Sequence, residues 1–198
     1  MEENFFQEQG RVRLSEDERR ILLILAREAL IEGVKGNSLE PLDLKSLPKQ
    51  LTQPGATFVT LTKNNELRGC IGSLEATRPL VEDVRLHAVA AALDDYRFPP
   101  VNELEVEHIT IEISRLTLPQ IVEFKDAQDL VLRIRPNVDG VILKKGIRKA
   151  TFLPQVWKKV PEVEIFLEML CRKMGSGSDC WKLPGVEVYT YQVEKFQE

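Results

Sequence analysis

The sequence predicts an α+β fold in which an antiparallel sheet is flanked by helices. Three observations favour this class. Apolar residues recur at helical spacing in some segments, whereas in others they alternate with polar residues as in half-buried strands. Neighbouring strand segments are separated by short turns that suit hairpins. Regular βαβ units, which would indicate a doubly wound parallel sheet, do not occur in the pattern.

The length and composition predict one domain over residues 1–198, with 43% hydrophobic residues. No apolar run approaches the roughly 20 residues that span a bilayer, and residues 1–10 lack the basic and apolar regions of a signal peptide. We therefore expect a cytoplasmic protein without membrane contact. The 27 basic and 31 acidic side chains give a net charge of −4, so composition provides no general attraction to nucleic acid.

The chain has three cysteines, Cys70, Cys171 and Cys180. An odd number without a C-x-x-C pair argues against a disulfide framework and against a structural zinc site. The two histidines, His87 and His108, have no partner at metal-ligand spacing. The sequence therefore predicts no disulfide framework, no metal and no other cofactor.

A first helix is predicted at about 16–32. Ser15 and Glu18 have the spacing of a capping box, and apolar residues then recur at helical intervals until Gly33, a residue typical of helix ends. The preceding residues, 1–14, are expected to form a flexible lead-in.

A second helix is predicted to begin at Thr77 as its cap, with Pro79 in the first turn. It stops before the two prolines that close the segment 94–100, because proline forbids a continued helix. That segment is expected to be a shaped loop.

The remaining segments predict strands and shorter helices. Residues 56–63 and 66–71 are expected to form a hairpin through Asn64-Asn65, since asparagine tolerates the positive φ angles of a tight turn. Further strands are predicted at 109–113, at 138–143 with 147–152 as a second hairpin, and at 186–196. Helices are predicted to open at Pro154 and at Pro161, the latter ending at Gly175.

The strongest local signal is the hexapeptide LRGCIG at 67–72. A two-residue hairpin loop pairs Val59 with Cys70 and puts Arg68 and Cys70 on one face of the strand. Arg68 would then stabilise a thiolate, the nucleophilic form of the sulfur. The alternative is a small buried thiol without a chemical role, because cysteine is among the most buried residue types.

The glycines on either side of the cysteine, Gly69 and Gly72, support a site as well. Glycine weakens a strand, so two within four residues indicate that a ligand or another backbone approaches closely. No base is assigned, since neither histidine has a sequence relation to Cys70; carboxylates such as Glu75, Asp94 and Asp95 are alternatives.

Two further regions are candidates for binding. Arg97 and Phe98 lie in the proline-stiffened loop, where the guanidinium either meets a substrate carboxylate or phosphate or is tied to a neighbouring carboxylate. Thr151 brings a hydroxyl to a strand end, where it either contacts a substrate or satisfies backbone groups. The basic turn around Lys144 to Lys149 reads as a solvated edge, so nucleic-acid binding is the least favoured function.

These residues resemble a known family. The hexapeptide is followed by RFPP at 97–100, IEIS at 111–114, VDGVIL at 138–143 and ATFLPQVW at 150–157. In this order they look like the AMMECR domain family, whose bacterial and archaeal members are called protein A of the AmmeMemoRadiSam system. The likeness covers nearly the whole chain.

The resemblance implies a fold more than an activity. It implies two lobes with a cleft between them, the larger lobe carrying both termini and the motif lying near the cleft. It also implies a pathway shared with a Memo-type protein and a radical-SAM protein, with no settled reaction for this component.

The leading hypothesis is therefore an enzyme that acts on an unknown small molecule through Cys70. Arg68, Gly69, Gly72, Arg97, Phe98 and Thr151 are the predicted substrate-binding residues. The rival hypothesis is a non-catalytic module that binds Memo-type or radical-SAM partners through the same groove.

Overall fold

A computed structural model describes residues 13–198, which divide into two compact units. The first unit comprises residues up to Leu116 together with Glu194–Glu198, and the second comprises Thr117–Val193. Helices are mixed with antiparallel strand pairs in the chain as a whole. This arrangement confirms the predicted α+β class.

The elements follow one another in this order: α1 (Glu16–Val34), α2 (Lys49–Thr52), β1 (Pro54–Lys63), β2 (Glu66–Gly72), β3 (Arg78–Pro79), α3 (Leu80–Leu93), α4 (Glu103–Val106), β4 (Ile109–Leu116), β5 (Gln120–Ile121), α5 (Ala127–Arg133), β6 (Gly140–Lys145), β7 (Arg148–Phe152), α6 (Val163–Lys173), β8 (Glu187–Tyr191) and β9 (Val193–Gln197). Short 3-10 turns occupy Leu44–Ser46, Pro154–Lys158 and Ser178–Lys182.

Within the described residues the strands form two sheets. The first has the order β2-β1-β4-β9, with β3 paired to β1, and the second has the order β5-β8-β6-β7. Strand β2, which carries the hexapeptide, is therefore an edge strand of the first sheet. Both β1–β2 and β1–β4 are antiparallel.

The core of the first unit lies between one face of its sheet and helices α1 and α3. In β1, Val59 and Leu61 are fully buried and pack into this core, whereas Thr60, between them, is half-buried. The predicted alternation in β4 is confirmed, since Ile109, Ile111 and Ile113 are buried. This alternation places Thr60, between Val59 and Leu61, on the opposite face.

Helix α1 begins as predicted, but it ends later. The capping box of Ser15 and Glu18 is present, with each side chain accepting from the other's backbone N–H. Gly33 does not end the helix; a Cβ there would lie 2.8 Å from a side-chain carbon of Val89. Its role is close packing against α3, while Gly36, with a φ of 78°, takes the left-handed conformation after the helix.

The predicted lead-in 1–14 lies largely outside the described residues. Leu14, at its end, is buried in the core of the first unit. Its N–H donates to a carboxylate oxygen of Glu194 at 3.4 Å. The chain is thus already fixed one residue before the N-cap of α1.

Two predicted boundaries are wrong. Helix α3 has Pro79, not Thr77, at its N-cap position, because Arg78 and Pro79 pair with β1 as strand β3. The predicted strand 186–196 is divided at Gln192 into β8 and β9, which belong to different sheets. A continuous Val-rich and Tyr-rich pattern does not reveal that the chain changes sheets.

The core of the second unit is built around Trp157. Its indole stacks on Phe166 of α6, with ring centroids 3.6 Å apart, and its Nε1 donates to the carbonyl of Asp139 at 2.6 Å. The buried carboxylate of Asp139 in turn accepts from Arg135 and Gln192. These contacts hold the segment before β6 against the helix.

The cysteine count argued against a disulfide framework, but one bridge is present, because Cys171 and Cys180 are bonded to each other. The bridge closes the loop between α6 and the 3-10 turn that begins at Ser178, and both cysteines are buried in the core of the second unit. An odd cysteine count excludes complete pairing but not a single bridge. Cys70 is left as the free thiol.

No helix in the part of the chain from residue 13 onward is long and apolar enough to cross a membrane.

Reduction of the disulfide is expected to lower the free energy of unfolding by about 2–3 kcal/mol, because a cross-link restricts the unfolded chain. Denaturant unfolding with and without a reductant measures the difference. The Cys171→Ser/Cys180→Ser double variant is the control, and its stability should not respond to reductant. An equal response in both proteins would contradict the prediction.

Candidate functional site

The β1–β2 hairpin positions Cys70 through an irregular register. The turn residues Asn64 and Asn65 both have positive φ, as predicted for a two-residue loop. The pairing then shifts between Leu61 and Thr62 by a bulge, so Cys70 lies opposite Thr60. The predicted pairing of Cys70 with Val59 is wrong, because one extra residue in β2 displaces the register.

The thiol of Cys70 lies on the face of the sheet that is opposite the helices. It is half-buried, and the hydroxyl of Thr60 donates to its sulfur at 3.3 Å. Thr60 also lies opposite Glu112 of β4, whose carboxylate is bound by Lys195 at 2.9 Å. A row of thiol, hydroxyl, carboxylate and ammonium groups therefore crosses four strands.

The peptide groups of Cys70 are held by the loop that follows α3. Asp95 accepts from the N–H of Cys70 at 2.8 Å, and Nη2 of Arg97 donates to the carbonyl of Cys70 at 3.2 Å. Arg97 also binds Asp95 through Nε at 2.8 Å and Nη2 at 2.6 Å. Both outward-facing groups of this edge-strand residue are thus satisfied without a neighbouring strand.

Asp95 and Arg97 each stabilise the charged form of the other. Hydrogen bonds from the Arg97 side chain, and then from the N–H of Cys70, hold the pKa of Asp95 well below its usual range, although burial opposes the shift. The same contact raises the pKa of Arg97. The Arg97 side chain remains 43% exposed, and its guanidinium carbon lies 5.6 Å from the ring centre of Phe98. The loop therefore combines a fixed carboxylate with an accessible cation.

Arg68 was predicted to stabilise a Cys70 thiolate, but its guanidinium binds a carboxylate instead. It forms two hydrogen bonds with Glu105 of α4, at 3.2 and 3.0 Å, and Lys63 binds the same carboxylate at 2.9 Å. These two cations, Arg68 first, lower the pKa of Glu105 to about 2. Arg68 is nearly buried, and its Nη1 has no hydrogen-bond partner among the described residues. Its contacts anchor the bulged strand to α4.

Gly69 and Gly72 are required because backbone atoms of the same protein lie close to them. A Cβ on Gly69 would lie 2.0 Å from the carbonyl oxygen of Ala91 in α3, and one on Gly72 would lie 2.3 Å from that of Thr57. Of the two alternatives left open by the sequence, the close approach of another backbone is the one observed. The hexapeptide thus allows α3 to pack directly on the edge strand.

Thr151 is placed in the second unit, whereas the other predicted site residues belong to the first. Its buried hydroxyl donates to the carbonyl of Val141 at 2.9 Å and lies 3.1 Å from the hydroxyl of Tyr191. Desolvation raises the pKa of Tyr191 to about 12. These contacts match the alternative in which Thr151 satisfies internal polar groups.

His87 and Asp83 are engaged in contacts within the first unit. His87 is buried with Nδ1 3.1 Å from Asp83, a carboxylate that also accepts from the N–H and hydroxyl of Thr57. Within residues 13–198, no three His, Cys, Asp or Glu side chains lie close enough to hold a metal ion. Thr60 and Glu112 are the site residues that sequence reasoning missed. The bulge concealed the pairing of Thr60 with Cys70, and the β1–β4 register that puts Glu112 opposite Thr60 was not predicted.

A family model for AMMECR1 matches residues 23–196. The chain is 38% identical over 190 residues to a protein of Methanothermobacter thermautotrophicus, covering 93% of this chain and 96% of that protein. It is also 38% identical over 197 residues to a protein of Thermococcus onnurineus, with coverage of 94% and 93%. The crystal structure of an uncharacterised protein from Pyrococcus horikoshii is similar, with 35% identity, 93% coverage of both chains and a TM-score of 0.75.

Fold and sequence together thus define a two-unit α+β protein. The chain belongs to the AMMECR1 family.

Substitution of Gly69 by alanine is expected to destabilise the protein by about 1–3 kcal/mol, because the added methyl group would collide with the backbone of α3. Thermal and denaturant unfolding measure the loss. Gly177→Ala is the matched control: Gly177 has an ordinary φ of −61°, and its Cβ would meet nothing within 4 Å. Equal stability of the two variants would be inconsistent with the described packing.

Substitution of Asp95 by asparagine is expected to cost about 1–3 kcal/mol at neutral pH, because it weakens charge-assisted hydrogen bonds to Arg97 and Cys70. The folded pKa of Asp95 is depressed, so its stabilisation is complete above the unfolded pKa and is lost as the pH falls further. The difference between wild type and variant should stay constant from pH 8 to 5 and shrink below about pH 4. Unfolding measured across this range tests it, and a difference independent of pH would contradict the assignment.

Proposed function

We propose that the face of the first sheet around Cys70 is the active site of an enzyme in which this thiol is the nucleophile. The observation that carries the proposal is the hydrogen bond from the Thr60 hydroxyl to the sulfur of a half-exposed, free cysteine. A donor beside sulfur interacts more strongly with the anion than with the neutral thiol. Thr60 therefore favours the form that attacks an electrophilic carbon.

The substrate is proposed to be a small molecule with an anionic group. Arg97 is fixed through Nε and Nη2, yet its guanidinium is substantially exposed. A cation that is positioned in advance loses little conformational freedom when it binds a carboxylate or phosphate. Since the same guanidinium contacts the carbonyl of Cys70, an anion bound to it would lie near the residue that carries the thiol.

Glu112 and Lys195 extend the proposed site along the row of polar groups. Glu112 is 29% exposed and Lys195 is 53% exposed, so both are accessible beside Thr60. A carboxylate and an ammonium group at this distance offer one acceptor and one donor to polar parts of a substrate. We propose that they contribute to substrate orientation and that proton exchange at the thiol occurs with solvent.

The proposed pathway is one shared with Memo-type and radical-SAM proteins, which family resemblance supports. A second candidate function is a binding module for such a partner. It is favoured by Tyr96, which is 94% exposed between the fixed side chains of Asp95 and Arg97. Exposed tyrosine on a rigid loop is typical of residues that anchor protein interfaces.

The rate of alkylation of Cys70 at pH 7 tests the enzyme proposal. Cys171 and Cys180 are joined, so iodoacetamide under non-reducing conditions reports on Cys70 alone. We expect a rate at least about tenfold above that of free cysteine, because the Thr60 hydroxyl donates to the attacking sulfur. Thr60→Val is expected to lower the rate several-fold.

Thr62→Val is the matched control. Thr62 lies two residues further along β1 and pairs with Leu67 rather than Cys70, so its loss should leave the rate unchanged. A rate equal to that of free cysteine in the wild type would remove the nucleophile. If Cys70→Ser also kept full cellular function while Tyr96→Ser abolished it, the binding module would replace the enzyme.

A further inference from the structure

A groove of about 760 Å³ lies within the second unit, separate from the residues around Cys70. One wall is the turn of the β6–β7 hairpin, from Lys145 to Arg148. The other wall is the loop from Gly175 to Cys180, which the disulfide closes. Neither the hexapeptide nor the proposed active site uses this groove.

The two walls are joined and fixed. Nη1 of Arg148 donates to the carbonyl of Gly175 at 2.9 Å, which links the hairpin turn to the loop. The N–H of Ser176 donates to the carbonyl of Cys171 at 3.0 Å, and Cys171 is bonded to Cys180. The groove therefore exists before any ligand arrives, and a ligand would not have to order the loop.

The polar side chains of the groove are mostly hydrogen-bond donors. The ammonium group of Lys145 and the hydroxyls of Ser176 and Ser178 have no hydrogen-bond or charged partner within the described residues. The one carboxylate of the lining, Asp179, is paired with Lys182 at 3.3 Å. In a protein with net negative charge, this groove thus has a local excess of positive charge.

Gly177 contributes no side chain to the wall of the groove. Its φ of −61° suits any residue, and a Cβ built there would meet no atom within 4 Å. Neither backbone conformation nor internal packing therefore requires glycine at this position. Because Gly177 lines the groove, a larger side chain at this position would extend into the open space beside it.

Apolar side chains border the same space. Ile147 is completely exposed at the hairpin turn, and Leu183 is 51% exposed on the opposite side. Both side chains line the groove, so an apolar part of a ligand that enters it would contact them. Their position beside the donors indicates a ligand with both an anionic and an apolar part.

We propose that this groove binds a small phosphorylated molecule with an apolar group next to its phosphate. The donors lie on both walls, and the several oxygens of a phosphate can accept from more than one direction, whereas a carboxylate is planar. Lys145 and the serines bind the phosphate, and Ile147 and Leu183 cover the apolar part. The groove is thus a second ligand site, independent of the thiol chemistry proposed for Cys70.

The test uses phenyl phosphate, inorganic phosphate and phenol as probes of the full chain. Nuclear magnetic resonance titration follows the backbone amides of residues 175–180 and 145–148. We expect phenyl phosphate to shift these amides and to bind more tightly than inorganic phosphate, while phenol leaves them unshifted. Binding should weaken as salt is added, because the interaction involves charges.

Two variants locate the ligand. Lys145→Gln is expected to weaken phenyl phosphate binding roughly tenfold through loss of a charge-assisted hydrogen bond. Gly177→Val should weaken it at least as much by filling the groove, with the melting temperature unchanged. Lys45→Gln, at an exposed lysine of the first unit, is the matched control and should bind like the wild type.

The proposal is overturned if phenyl phosphate shifts no amide of either wall, or if Lys145→Gln and Gly177→Val bind it as the wild type does. It is equally overturned if a short oligonucleotide binds with an affinity that Gly177→Val does not change. That result would assign the basic turn to nucleic acid instead of to a small molecule. None of these outcomes depends on the reactivity of Cys70.

Discussion

The carboxylate of Asp95 accepts from the backbone of Cys70 and from the side chain of Arg97, and the geometry of the edge strand depends on this contact. An edge strand exposes unpaired N–H and C=O groups, which invite association with other chains. Here Asp95 takes the N–H and Arg97 the carbonyl of one residue. The interaction that protects the sheet edge is therefore the same one that fixes the reactive-thiol candidate and presents an exposed cation next to it.

The bulge in β2 explains why the hexapeptide has the composition it has. An extra residue in the strand lets Arg68 bind Glu105 of α4, while Cys70 faces Thr60. Gly69, between them, has no side chain because α3 lies against it. Arg68, Gly69 and Cys70 thus contact three different parts of the first unit. In this strand, only the cysteine presents a side chain with unassigned chemistry.

Local patterns predicted the elements that depend on local interactions. The capping box of α1, the Asn64-Asn65 turn and the alternation in β4 were all readable, because each is decided by residues a few positions apart. Contacts between residues far apart in the sequence could not be predicted in this way. The hydrogen bond from Cys70 to Asp95 spans 25 positions, and nothing in either segment specifies it. The bulge shifts the two-residue period of β2, but this glycine-containing strand has no clear apolar alternation in which the shift could be seen, so Thr60 escaped notice.

The division of the last strand at Gln192 has a consequence for the folding of the first unit. The first unit needs Glu194–Glu198, since β9 completes its sheet, whereas the second unit is one continuous stretch that ends before these residues. The sheet of the first unit is therefore assembled from two stretches of chain that lie on either side of the second unit in sequence, so its β4–β9 pairing has to close a long loop.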